Sequence, residues 1–316
     1  RTPPPDRTTG LSFVAVLGPT ASGKSELATA IAEQRSGEIV SVDSMQVYRG
    51  MDIGTAKPDA ATCARVPHHL INLVEPEESF SVAEYQVAGR AVLDALGESG
   101  RPVVIAGGSG LHFRSLVDPM SFAATDPQLR TQLEATPAAD LVVELLGADP
   151  GAAAHVDLSN PRRVLRAVEA FRLTGVTPSE RAGTPEAKAL REYTPRLPMI
   201  ALAVDPGERL STRVTERFDA MLAAGLLDEV AALESRMGRT ARQAVGYKEL
   251  IPVVRGAASL DDARAAAIQA TLSLAKRQRT FFRRDPRIHW LAWHDDPDAR
   301  IAAARHMLEN VETWTS

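Results

Sequence analysis

Short apolar runs and helical apolar spacing alternate through the first part of this chain. Phe13-Val14-Ala15-Val16-Leu17, Glu38-Ile39-Val40-Ser41-Val42 and Pro102-Val103-Val104-Ile105-Ala106 have the length and branching of strands buried on both faces. Between them, Leu27, Ala28, Ile31 and Ala32 recur at helical spacing, and a helical pattern returns from Val82 to Leu96. An Ala-rich helix follows residue 59, and Pro67, His68 and His69 read as a loop. Strands that alternate with helices predict βαβ units and a parallel sheet. From about Pro119 to Pro198 this rhythm stops, and helical segments separated by prolines and glycines replace it. The strand pattern resumes at Met199-Ile200-Ala201-Leu202-Ala203-Val204-Asp205. An amphipathic helix follows, with Leu210, Val214, Phe218 and Met221 as its buried stripe, and Ala299 to Val311 reads as a closing helix. The predicted fold is α/β, a parallel sheet of the phosphate-loop NTPase type flanked by helices, with an inserted all-helical domain. The core spans 11–118 and 199–316 and the insertion 119–198. Residues 1–10, with three consecutive prolines, read as a disordered tail.

Composition narrows the class. The 316 residues are 44% hydrophobic and 24% charged, ordinary for a globular protein, with few aromatics at 5%. A net charge of −4, from 36 basic and 40 acidic side chains, gives no global attraction for nucleic acid, so any polyanion site must come from local clusters. A single cysteine, Cys63, excludes an internal disulfide and a cysteine metal cage. His68 and His69 have no third ligand at metal spacing, which favours a hydrogen-bonding role over zinc. No stretch approaches the ~20 apolar residues of a membrane span, and no signal-peptide pattern opens the chain. A cytoplasmic protein, monomeric and without a membrane partner, is expected.

The chemistry begins at Gly18-Pro19-Thr20-Ala21-Ser22-Gly23-Lys24-Ser25, directly after the first strand. It fits the G-x-x-x-x-G-K-[ST] phosphate loop at every fixed position. Such a loop curls so that backbone N–H groups converge on phosphate oxygens, and the following helix adds its unpaired N-terminal donors. Lys24 supplies a mobile point charge, and the Ser25 hydroxyl is placed to bind Mg²⁺. The loop alone does not specify the phosphate: a nucleoside triphosphate and any diphosphate satisfy the same donors. Asp43 ends the second strand, where open α/β sheets place their ligands.

The segment Ser41 to Pro58, SVDSMQVYRGMDIGTAKP, taken with the phosphate loop, closely resembles the tRNA dimethylallyltransferase family, prenyltransferases that modify an adenosine of the tRNA anticodon loop. The resemblance continues in HHLI at 68–71, GGSGL at 107–111, NPRRVLRAVE at 160–169, RFDAMLAAGLLDEV at 217–230, QAVGYKEL at 243–250 and AKRQRTFFRR at 275–284. It implies transfer of a dimethylallyl group from dimethylallyl diphosphate, with Mg²⁺, to the adenosine 3′ of the anticodon in tRNAs that read codons beginning with uridine. It implies Asp43 as general base and Thr20, Lys24, Ser25 and Arg217 on the leaving diphosphate. It implies tRNA contacts from Asp43, Ser44, Met45, Gln46, Ser109, Arg130, Arg162, Arg163, Arg166, Gln243, Gly246, Tyr247 and Lys248. The chain departs from the usual pattern at Ser109, commonly threonine, where a hydroxyl survives, and at His112, commonly tyrosine.

Several basic groups admit two readings. Asn160 and Pro161 open a helix with a capping residue and a first-position proline. Arg162, Arg163 and Arg166 then crowd its first turns against the helix dipole, so they call either for an anionic partner or for neutralisation by Asp157 and Glu169. Arg209, Arg213 and Arg217 line one helix face, as a surface row paired with acids or as diphosphate ligands. Lys276, Arg277, Arg279, Arg283 and Arg284 form the densest basic cluster, with 276, 279 and 283 on one face and Phe281 and Phe282 packing inward. It reads as RNA phosphate contact or as a solvated helix face. Competing functions stay open: a phosphate-loop kinase or NTPase that binds ATP·Mg²⁺ with Asp205 or Asp43 at the metal, an adenylate isopentenyltransferase acting on free nucleotide, and a non-enzymatic RNA-binding module.

Overall fold

The computed structural model describes residues 13–123 and 125–312; the expected tail at 1–10 lies outside them. In chain order the elements are β1 (Phe13–Leu17), α1 (Lys24–Gln34), β2 (Glu38–Val42), α2 (Ala60–Arg65), β3 (His68–His69), α3 (Val82–Glu98), β4 (Val103–Gly107) and α4 (Gly110–Val117). Helices α5 (Pro127–Ala135), α6 (Ala138–Ala148), α7 (Pro161–Thr174), α8 (Pro178–Ala182) and α9 (Pro185–Arg191) follow. The chain then returns to β5 (Ile200–Ala203), α10 (Leu210–Ala223), α11 (Leu226–Leu233), α12 (Tyr247–Val254), α13 (Leu260–Phe282), β6 (Ile288–Trp290) and α14 (Pro297–Glu312).

Among the described residues, those up to 116 and from 197 onward form one compact unit and those within 117–196 another. In the first, the described strands make a wholly parallel sheet in the order β3-β2-β4-β1-β5-β6. Every residue of β1, β2 and β5 is buried, as a sheet covered on both faces requires. On one face Val14, Val16, Val104, Ile200 and Leu202 pack with Leu27, Ala28 and Ile31 of α1 and with Ala304 and Leu308 of α14. The expected loop at His68 and His69 contains a short edge strand instead, paired in parallel with Ile39 and Val40. Its His69 Nε2 lies 2.6 Å from Glu38 Oε2, and Arg101 bonds the other oxygen at 2.5 Å. Burial would push the Glu38 carboxyl up, but these hydrogen bonds outweigh it and hold its pKa below the usual value.

The second unit is helical, with its own core of Leu133, Leu141, Leu145, Ala152, Val164 and Val168. Asn160 caps α7 by accepting from the N–H groups of Arg162 and Arg163, and Pro161 occupies its first turn. Gly175, in the left-handed conformation at φ 70°, ends it.

Candidate active site

The phosphate loop fills the turn from β1 into α1. Ala21 and Gly23 adopt left-handed φ values of 60° and 79°, which curl the backbone into an anion-binding concavity. Gly18 is required by crowding: a Cβ there would lie 2.4 Å from the Val204 carbonyl oxygen. Lys24 Nζ donates to Pro19 O at 3.1 Å. Three residues from distant parts of the chain close on the loop. Thr20 N–H donates to Gln278 Oε1 at 2.8 Å, Arg213 Nε donates to Ala21 O at 2.8 Å, and Arg217 Nη1 donates to Thr20 Oγ1 at 3.2 Å. Within the arginine row on α10, therefore, Arg209 pairs with an acid, Asp295 at 3.0 Å, whereas Arg213 and Arg217 hydrogen-bond to the phosphate loop.

A C-terminal brace backs this arrangement. The Arg213 and Arg300 guanidinium groups lie over the Trp293 ring at 5.0 and 4.7 Å from its centroid. Arg300, 3% exposed, donates to Glu26 Oε2 at 3.0 Å and packs against Gly23. The expectation of a plain closing helix missed this role; its one signal is two of the three tryptophans, Trp290 and Trp293, in a chain poor in aromatics.

Asp43 sits just past β2, its Oδ1 accepting from Met45 N–H at 2.8 Å. It is the common neighbour of the site's titrating groups. Burial, then the charge of Arg217, lowers the Lys24 pKa to about 8, with Asp43 acting the other way. Burial also lowers the Arg217 value, again opposed by Asp43. Burial and Asp43 both push the Tyr85 phenol up. His112 is drawn down to about 4 by burial, so its imidazole is neutral at physiological pH. Its Nδ1 lies 2.7 Å from Ser109 Oγ, and its ring meets Tyr85 edge-on at 4.5 Å. At this departure from the family pattern, the histidine orients the Ser109 hydroxyl. Tyr85 in turn donates to Ser41 O at 2.5 Å.

The phosphate loop, Asp43, Ser109 and Arg217 open on one cavity of about 890 Å³. Thr20, Lys24, Ser25 and Arg217 line it together with Asp43, Ser44, Met45, Gln46 and Ser109, and Val214, Phe218, Met221, Leu226 and Leu274 give it an apolar wall. Mg²⁺ needs few protein ligands where phosphate oxygens supply the rest. The donor set here, the exposed hydroxyl of Ser25 beside Lys24, fits an ion that arrives with a diphosphate. Among the described residues no cluster of three or more His, Cys, Asp or Glu is placed to hold a metal by itself.

Other expected residues fall elsewhere. Asp205 is not among the lining residues; its carboxylate pairs with Arg279 at 2.6 Å and Arg283 at 3.7 Å, so it is engaged rather than turned to a metal. The expected basic face of 276, 279 and 283 is thereby broken. Lys276, Arg277, Thr280, Phe281 and Arg284 instead surround a shallow hollow beside the cavity. Phe282 is buried, but Phe281 is 37% exposed and packs over Gly110, where a Cβ would lie 2.1 Å from its ring. Gly246 lines the cavity, Gln243 and Lys248 are exposed, and Tyr247 is fully buried with its hydroxyl on Glu229. In the second unit, Arg130 and Arg166 both bond the buried Glu169 carboxylate, at 2.5 and 2.6 Å. Arg163 lies 3.9 Å from Asp157, and Arg162 is exposed.

A family model described as IPP transferase matches residues 46–285, well over half of the chain. A tRNA dimethylallyltransferase of Streptomyces avermitilis is 42% identical over 294 residues, covering 88% of this chain and 89% of its own. One from a Parafrankia species is 44% identical over 306 residues, covering 94% and 93%. Among solved structures, the tRNA isopentenylpyrophosphate transferase of Bacillus halodurans superposes with a TM-score of 0.67 at 34% identity, over 94% of this chain and 95% of that one. A eukaryotic dimethylallyltransferase acting on tRNA shares the fold, with a TM-score of 0.78 at 24% identity over 94% of this chain and 80% of that one.

Proposed function

Because this chain belongs to the tRNA dimethylallyltransferase family, we propose that its cavity transfers a dimethylallyl group from dimethylallyl diphosphate to the exocyclic amine of the tRNA adenosine just 3′ of the anticodon. The observation that carries this reading is the shared cavity in which a phosphate loop and Arg217, bonded to Thr20 of that loop, line one space with Asp43. A kinase needs that loop but has no use for the apolar wall, and its second carboxylate, Asp205, is tied to arginines.

The amine nitrogen forms a bond to the first carbon of the donor as the carbon–oxygen bond breaks, and the electron pair leaves on diphosphate. Asp43 takes the proton that the nitrogen loses, a contribution of about 10²–10⁴-fold. Thr20, Lys24, Arg217 and the loop N–H groups receive the charge building on the leaving group; donors aimed at such charge supply about 3–4 kcal/mol each. Ser25 would hold a Mg²⁺ ion arriving with the diphosphate, and the ion would supply further charge neutralisation. Val214, Phe218, Met221 and Leu226 enclose the prenyl chain. The adenosine enters unstacked, which costs a few kcal/mol in a loop that is already single-stranded. Ser44, Met45, Gln46, Ser109 and Gly246 surround it. The helical unit 117–196 binds the anticodon arm through the exposed Arg162 and Arg163 and through the N–H donors that Arg130 and Arg166 keep beyond their bonds to Glu169, while Gln243, Lys248 and the Lys276–Arg284 patch meet backbone phosphates. Tyr247 acts from the core. Every assigned residue comes from one chain, so a monomer suffices, and the reaction belongs to the cytoplasm, where tRNA matures. No helix among the described residues is long and apolar enough to cross a membrane.

The test is transfer of labelled dimethylallyl groups to unmodified tRNA bearing an A-A-A run from the last anticodon base onward, with free AMP and ATP in parallel. Label on the tRNA alone is expected. Label on AMP, or hydrolysis of ATP without transfer, contradicts the reading.

A further inference from the structure

We propose that Glu229 is a positioning residue for the acceptor side of the site: through the backbone of residues 52–54 it sets the carbonyl groups that fix the Gln46 amide. The inference rests on the transferase reading above.

Glu229, on α11, accepts four hydrogen bonds. Its Oε2 accepts from Asp52 N–H at 2.9 Å and Ile53 N–H at 2.8 Å, and its Oε1 from Gly54 N–H at 3.1 Å and Tyr247 O–H at 2.5 Å. The segment so gripped is neither helix nor strand, and its ladder of backbone bonds is replaced by this one carboxylate. Tyr247 adds a steric floor. A Cβ at Gly54 would lie 2.3 Å from its Cε2, so the ring rests directly on the loop backbone. Lys57 closes the far end, with its Nζ bonded to Tyr48 O, to Asp52 Oδ1 and to Asn72 Oδ1.

The next two residues carry the consequence. Thr55 O and Ala56 O accept from Gln46 Nε2 at 3.1 and 3.3 Å, and Ser41 Oγ donates to Gln46 Oε1 at 2.8 Å. The amide nitrogen of Gln46 is thus directed at the loop carbonyls, and Oε1 retains a lone pair beyond the Ser41 bond. In this setting Gln46 offers the cavity an acceptor, which suits the N–H edge of an incoming base. Gln46, Gly54, Thr55 and Ala56 line the cavity, whereas Glu229 does not. The carboxylate therefore acts through the loop.

The experiment is a double-mutant cycle on transfer to tRNA with wild type, Glu229→Ala, Gln46→Ala and the double variant. Glu229→Ala is expected to lower kcat/KM for tRNA by about ten-fold or more, with the donor KM unchanged, and to cost far less in the Gln46→Ala background, as coupled sites do. Glu229→Gln, which keeps the side-chain volume and one acceptor oxygen, should show the same pattern at smaller size and covers the case in which the alanine variant does not fold. Equal losses in both backgrounds, or a donor KM that rises in parallel, overturn the proposal. Amide hydrogen exchange provides a readout independent of activity. Faster exchange at 52–54 in Glu229→Gln, with β1 and β4 unchanged, is expected, and unchanged exchange at 52–54 overturns the proposal. A wild-type protein that transfers nothing to tRNA counts against the transferase reading, while the exchange result still decides the role of Glu229.

Discussion

Lys24 carries the tension between stability and function most directly. Its folded-state pKa of about 8 lies below the ordinary 10.5, because burial and Arg217 disfavour the charge. In the donor-free protein the lysine thus releases its proton earlier than in the unfolded chain. Its cost to stability is present in full below pH 8 and is relieved as pH rises from 8 to 10.5. Lys24→Met should therefore raise the unfolding free energy of the donor-free protein at pH 7 by about 1–3 kcal/mol, a gain that shrinks toward pH 10.5 in urea titrations. Donor affinity of the wild type should move oppositely, weakening as pH rises through about 8, because the diphosphate needs the ammonium form; isothermal titration against pH reads this. The lysine was legible from the spacing of the loop. Arg213 and Gln278 were not legible as partners of that loop, since they reach it across 192 and 258 residues.

At the scale of the element, α13 performs different tasks around its circumference. Ala275 and Phe282 face the core, Gln278 closes the phosphate loop, Arg279 holds Asp205, and Lys276 remains exposed, as does Arg284 just past the helix end. Lys276→Ala combined with Arg284→Ala should weaken tRNA binding uniformly across tRNAs and reduce the slope of log affinity against log salt by about 1 for each phosphate left without its cation, with donor affinity unchanged. Filter binding over a salt series checks this. The charge cluster was visible in the sequence, but the face it presents was not, because a carboxylate 74 residues away selects Arg279. The same limit applies to α7. Its cap and proline predicted its start, and Glu169 stood among the acids that could neutralise its arginines, but no local pattern showed that Arg130 of another helix would share that buried acid with Arg166. A two-residue edge strand such as β3 is too short for any period to show.

Across the molecule, the alternation of apolar runs with helical spacing sufficed for a parallel sheet because strands buried on both faces leave an unambiguous trace. The strand order, and hence the meeting of the β1 and β2 termini with α10 and α13, depends on contacts that no local pattern encodes. Those contacts bring the phosphate loop, Arg217 and Asp43 around one cavity. The most direct measurement is single-turnover transfer to tRNA by Asp43→Asn, whose amide oxygen can still accept from Met45 N–H and preserve the turn. With Asp43 as the base, donor binding is retained and the transfer rate falls by about 10²–10⁴-fold. Transfer at the wild-type rate would contradict that role.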